Sequence, residues 1–196
     1  MKLTSTRNYV QTARAIAAQE TEEATVLAFR VLLEERWYDE ITLDEVAQRA
    51  GTTRQTVIRR FGGKEGLLAA FTRRIGAEIK TRRAAAPPGD IAGATAVLVS
   101  DYEATGEMVM RLLSLEGRIP EIAATLETGR VGHRLWVEQT FAARLSAFPA
   151  GERGARLSHL LVATDVWSWF LLRRTQGHSL PEAERLMTAM ISKLLD

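Results

Sequence analysis

Cysteine is absent from all 196 residues, which excludes disulfides, thiolate nucleophiles and every thiolate-held metal or iron–sulfur cluster. Histidine is scarce as well. His133, His159 and His178 form no HExxH or comparable helical pair that would set two imidazoles on one ion, so no metal and no cofactor are expected. Long apolar runs are missing too: the most apolar stretch, Leu160 to Leu172, is interrupted by Asp165 and is shorter than a bilayer span. Residues 1–20 lack the apolar centre of a secretion signal. The expectation is a soluble cytoplasmic protein with no membrane partner. No GxSxG, GxxxxGK[ST] or strand-associated GxGxxG occurs, so an enzyme is not expected.

Proline is confined to positions 87, 88, 120, 149 and 181, and the segments between read at helical rather than strand period. Asn-Gly and Asp-Gly hairpin signals are lacking, and Val and Ile are dispersed among Ala, Leu, Arg and Glu, which favour helix. An all-α fold of about nine helices is predicted. The first ends near Arg36, the second covers 43–50, the third 53–61 and the fourth 64–83. Then come 91–105, 107–115, 120–147, 154–176 and 180–195. Pro87 and Pro88 cannot sit inside a helix, so the chain is expected to divide into residues 1–85, with a core at 21–65, and residues 86–196.

Thr42-Leu-Asp-Glu45 and Ser179-Leu-Pro-Glu182 fit the capping box, in which hydroxyl and carboxylate satisfy each other's free backbone N–H groups. After the first box comes Gly51, able to take the positive φ of a turn, and Ala47 is small enough for two helices to cross closely. Capped helix, turn and second short helix form a helix-turn-helix layout. Projected at about 100° per residue, Val57, Phe61, Arg54 and Ile58 share one arc, while Gln55, Arg59, Thr56 and Arg60 fill the opposite one. That second face has major-groove chemistry: Gln pairs with adenine, Arg with guanine, and Thr meets a thymine methyl or donates a hydrogen bond.

Charge is distributed to match. The formal total is only +2, yet residues 49–83 hold ten Lys and Arg against Glu65 and Glu78, a net +8 that leaves −6 elsewhere. Residues 52–64 contain no acid at all. A basic segment on an acidic body is the electrostatic footprint of a polyanion-binding protein.

Residues 24–79 carry the YDEITLDEVAQRAG block, the TRQTVIRRF helix and the GKEGLL helix start in register. The sequence here resembles the DNA-binding domain of TetR-type transcriptional regulators. The resemblance implies that Thr42 caps its helix near a phosphate and that Thr52, Thr53, Arg54, Gln55, Thr56, Arg59 and Arg60 contact backbone and bases. It also implies that Lys64 grips phosphate at a helix N-terminus. Two positions depart from the pattern: Ile58 replaces a tyrosine that reaches the DNA backbone, and Trp37 replaces a helix-closing glycine and is free to pack over the first helix instead.

Beyond residue 86, Leu160, Leu161, Val162, Val166, Trp167, Trp169, Phe170 and Leu171 point in every projected direction of one helix. Such a helix must be covered on all sides, which predicts either a homodimer or a single buried core helix. Trp169 and Phe170, with Leu186, Met190, Ile191 and Leu194 on the last helix, are the expected interface, and the resemblance implies a four-helix bundle across a two-fold axis. A dimer would present two recognition helices to an inverted-repeat operator in double-stranded DNA. The resemblance also implies a pocket for an unknown small-molecule effector, with Tyr102, Met108, Leu112, Trp136, Phe141 and Trp167 as candidate walls; each is equally suited to plain core packing. Asp165 needs a partner if buried: an Arg such as Arg134, an interface hydrogen bond, or a cationic ligand. The expected function is a homodimeric, ligand-responsive repressor; the alternative is a dimeric DNA-binding architectural factor with no ligand.

Overall fold

A computed structural model describes the backbone of residues 4–196 and the side chains from residue 15 onward. Among the described residues every regular element is helical. The helices are α1 (Thr4–Glu35), α2 (Leu43–Arg49), α3 (Arg54–Phe61), α4 (Lys64–Arg83), α5 (Ile91–Leu115), α6 (Pro120–Thr140), α7 (Ala142–Ser146), α8 (Ala150–Ala163), α9 (Val166–Phe170) and α10 (Leu180–Leu195). A short 3-10 turn, Tyr38–Glu40, joins α1 to α2, and α9 runs on into a π-helical turn, Leu171–Thr175.

The chain forms two compact units, Met1–Arg73 and Arg74–Asp196. The division falls within α4 rather than at the predicted boundary of 85 and 86. The diproline still ends that helix: α4 stops at Arg83, and Asp90 restarts the chain as N-cap of α5 by accepting from the Gly93 N–H at 3.0 Å.

The core of the first unit is built around Phe29, whose ring meets Tyr38 and Phe71 edge-on at 6.3 and 6.1 Å. Val46, Val57, Leu67 and Leu68 are buried in the same unit. Burial of each such side chain contributes about 1.5–3 kcal/mol. Gly66 matters here for what it lacks. A Cβ at that position would strike the carbonyl oxygen of Phe61, with the carbonyl carbon at 3.0 Å, so only glycine lets the end of α3 abut the start of α4.

In the second unit the structure corrects several sequence expectations. A break was expected around Gly106, but α5 runs through it without interruption. Gly106 is instead the seat of Trp169, which is fully buried and hydrogen-bonds through Nε1 to Glu103 at 2.8 Å. Glu103 also takes a two-pronged bond from Arg173 at 2.6 and 3.0 Å, and Arg174 pairs with Glu107. These bonds hold the π-helical turn against α5. The expected 120–147 helix is interrupted at Phe141, where φ is −105° and ψ 12°.

The expected 154–176 helix starts at Ala150 and breaks after Ala163, and Asp165 supplies the reason. It is the N-cap of α9, accepting from the Trp167 N–H at 2.9 Å. Arg134, one of the partners considered for it, pairs with Glu138. The last helix starts and ends where predicted, with Ser179 Oγ accepting from the Glu182 N–H at 3.4 Å, while the Glu182 carboxylate is taken by Arg185.

Candidate nucleic-acid interface

The helix-turn-helix forms as its parts dictate. Thr42 and Glu45 make the complete capping box of α2: the Thr42 N–H donates to Glu45 Oε2 at 2.8 Å, and the Glu45 N–H donates back to Thr42 Oγ1 at 3.3 Å. Those bonds from Thr42, with the Arg36 guanidinium at 2.6 Å, pull the Glu45 carboxyl down to about 2. Arg36 is thereby tied to the start of α2. Gly51 takes the turn with φ of 65°. Thr53 then caps α3, accepting from the Thr56 N–H at 3.2 Å, and its hydroxyl lies 3.0 Å from that of Thr56. Gly62, with φ of 78°, closes α3 in the left-handed conformation.

This framework buries Val57 and leaves Gln55 and Arg59 exposed on the opposite side of α3. Thr42, Thr53 and Arg54 are exposed as well, whereas Thr52 and Thr56 are half-buried. Arg54 stands 3.7 Å from Asp44. Lys64 opens α4 and lies with Nζ 4.2 Å from the centre of the Tyr38 ring.

Arg60 departs from its expected role. Its Nη1 donates to the carbonyl of Ala18 at 2.7 Å and to Glu22 at 3.2 Å, so one end of the guanidinium fastens α3 to α1. Helical projection places a side chain on a face but cannot see a neighbouring helix long enough to reach it. Trp37 is exposed, with extended backbone (φ −71°, ψ 142°), at the start of the 3-10 turn. Ile58 is half-buried.

The +8 segment is also less concentrated than its sequence suggests. Arg49 pairs with Glu35, Arg74 with Glu78, and Arg82 and Arg83 with Asp101 in the second unit.

Residues 28–71 match the model of the bacterial regulatory proteins of the tetR family. The chain carries a TetR-type domain. A sequence comparison with curated proteins finds no match, but solved structures agree over most of the chain. A transcriptional regulator from Rhodococcus sp. Rha1 has a TM-score of 0.64 at 21% identity, over 89% of this chain and 95% of its own. The SmeT–triclosan complex gives 0.66 at 15% identity, over 88% and 90%. NalD, the secondary repressor of the MexAB-OprM multidrug efflux pump in Pseudomonas aeruginosa, gives 0.60 at 18%, over 89% and 96%. At such identities the likeness is one of fold, and it extends past the TetR-type domain into the helices that follow it.

In those helices the candidate pocket residues separate. Tyr102, Met108, Leu112 and Phe141 are buried and Trp136 is half-buried, but Trp167 is 57% exposed. The candidate interface residues separate likewise. Trp169 and Ile191 belong to the unit's own core, so neither is available to a second chain. Met190 is exposed, and Phe170, Leu186 and Leu194 are half-buried. Val162, 68% exposed, and Leu171 join Trp167 and Met190 as large apolar side chains facing out from α8, α9, the π-helical turn and α10. Among the described residues no helix is long and apolar enough to cross a membrane, and no cluster of three or more His, Asp or Glu is arranged to hold a metal ion.

Proposed function

We propose that this protein is a homodimeric, one-component transcriptional repressor that binds an inverted-repeat operator and is released by a small molecule held in the second unit. The observation that carries the reading is the exposed Gln55 and Arg59 face of α3, set by a capped helix-turn-helix in a TetR-type domain. The exposed apolar side chains of α8, α9, the π-helical turn and α10 support a partner of the same kind, since Val162, Trp167, Leu171 and Met190 together would expose to water what a bundle covers. In this revised interface Leu186, Leu194 and Phe170 take part and Trp169 and Ile191 do not. The triclosan complex of SmeT and the repressor role of NalD make a ligand-released repressor the natural assignment for a chain of this fold. A ligand acts here only through its difference in affinity between DNA-competent and released conformations.

Arg59→Ala and Gln55→Ala are each expected to weaken operator binding by about 1–3 kcal/mol and to relax base preference, as measured by mobility shift on the selected sequence and its variants. Unchanged binding in both would remove α3 from the interface.

Arg60 and Lys64 give a second, separable result. Lys64→Ala should reduce the slope of log affinity against log salt by about 0.9, as loss of one phosphate contact does. Arg60→Ala should leave that slope unaltered while lowering the unfolding midpoint of the first unit, because its guanidinium serves Ala18 and Glu22. A reduced slope for Arg60→Ala would return this residue to the DNA face. Sedimentation at micromolar concentration checks the dimer; a monomer would leave the apolar face of α8 to α10 without its partner.

A further inference from the structure

The second unit contains a buried polar cluster that neither DNA reading nor the apolar outer face uses. Asp101 on α5 is 1% exposed and accepts from two arginines at the end of α4, Arg82 Nε at 2.6 Å and Arg83 Nε at 2.7 Å. Arg83, 8% exposed, continues to His133 on α6, with Nη1 3.1 Å from Nδ1. A guanidinium has donors only, so Nδ1 is the acceptor and the imidazole proton resides on Nε2, which donates to Thr164 Oγ1 at 2.9 Å. Burial and the adjacent Arg83 hold His133 neutral, its pKa lowered to about 3. Thr164 passes its own hydroxyl proton to the Leu160 carbonyl at 2.7 Å, and its carbonyl accepts from Tyr102 at 2.9 Å. Asp165, the next carboxylate along the chain, is engaged in capping α9.

Both Asp101 oxygens, His133 Nδ1, and the hydroxyl and carbonyl oxygens of Thr164 are therefore engaged as acceptors. The indole Nε1–H of Trp136 is buried and has no acceptor among the described residues. An orphaned buried donor costs about 1–3 kcal/mol, a penalty that native structures rarely carry without a use. Trp136 lies under the Arg83 guanidinium, 4.9 Å from its ring centre, and meets Phe141 edge-on at 6.3 Å. It is also packed against both apolar clusters of the unit, one around Val137, Phe141 and Leu160 and the other around Leu98 and Trp169. A ligand group that accepts hydrogen bonds would satisfy this donor, and beside Arg82 and Arg83, which share the single carboxylate of Asp101, an anionic acceptor is favoured.

We propose that the second unit binds an apolar molecule bearing a carboxylate, and that the carboxylate accepts from Trp136 Nε1–H beside Arg83. The inference rests on the reading that this unit binds a small molecule, and it names the chemical class. Aromatic and aliphatic acids share the chemistry, so both are tested.

With the full chain labelled at its indole nitrogens, four N–H resonances are expected, for Trp37, Trp136, Trp167 and Trp169. Trp136→Phe identifies the second by its loss while keeping an aromatic ring in place. Titration with benzoate or octanoate should shift the Trp136 resonance saturably and leave those of the exposed Trp37 and Trp167 in place; which acid does so distinguishes an aromatic from an aliphatic ligand. Benzamide and octanamide should bind at least about fivefold more weakly, and Trp136→Phe should weaken the carboxylate about five- to tenfold, the worth of one hydrogen bond. The proposal is overturned if neither acid moves the Trp136 resonance at about 10 mM, a concentration that detects even millimolar affinity. It is equally overturned if the amides bind as well as the acids or if Trp136→Phe binds like the parent. A mobility shift on the same sample without added acid separates the two failures. DNA binding with no carboxylate response overturns this site alone, and a Trp136 response in a chain that binds no DNA overturns the regulator reading alone.

Discussion

Asp101→Asn is expected to destabilise the second unit by about 3–5 kcal/mol, because it removes the charge that Arg83 needs in order to remain buried. The side chain keeps its shape but offers one acceptor where two guanidiniums each donate to a carboxylate oxygen, and its amide N–H₂ turns toward a cation. Arg82 still reaches water, so Arg82→Ala should cost no more than about 1 kcal/mol. The difference between two partners of one carboxylate is thus set by burial. Arg83 also donates to His133, so its displacement would release the imidazole and the Thr164 hydroxyl together. Urea unfolding followed by tryptophan fluorescence gives both values, and a cost below about 1 kcal/mol for Asp101→Asn would mean that Arg83 finds solvent once its carboxylate is gone. Since a domain's whole stability is about 5–15 kcal/mol, the substitution stands to unfold much of the second unit's population near physiological temperature.

Trp169 and Gly106 should produce an effect of similar size from packing alone. Trp169→Ala is expected to cost about 3–5 kcal/mol, as deletion of a fully buried indole does, and it also strips Glu103 of one of its donors. The complementary change is more diagnostic. In the middle of an exposed helix Gly→Ala gains about 1 kcal/mol, and Gly76→Ala, with open space around it, should do so. A Cβ on Gly106 instead meets three ring carbons of Trp169, the farthest of the three at 2.9 Å. Gly106→Ala is therefore expected to lose about 1–3 kcal/mol through overpacking. Trp169→Phe should relieve part of that loss, because the three carbons belong to the six-membered ring that phenylalanine lacks at that depth. A double-mutant cycle on thermal unfolding measures the coupling, and additive effects would show that ring and glycine do not meet.

Gly106 also illustrates what local reasoning misses. From neighbouring residues alone a glycine between two helical patterns reads as a break, since its helix propensity is poor. Its reason for being in mid-helix is a tryptophan more than sixty positions away. The Thr164–Asp165 break shows the converse. A run of apolar residues reads as one continuous helix, but Asp165 caps a new start, an arrangement open to any Asp and revealed only by the backbone it serves. Elements with strong end signals were predictable: α3 between Thr53 and Gly62, α4 ahead of the diproline, and α10 after Ser179.

The same contrast holds for the site. Residue order determined that the chain is helical, that it carries a capped helix-turn-helix, and that Gln55 and Arg59 share the side of α3 opposite Val57, because caps, turn glycines and helical periodicity act over a few neighbouring residues. Tertiary structure decided which cations are available for other work. Arg60 is held by α1, Arg82 and Arg83 by Asp101, and Trp169 by the core, while among the described residues the Trp136 N–H is left without an acceptor. A side chain's partner depends on which distant backbone or carboxylate the fold brings within about 3 Å, and no local pattern records that distance.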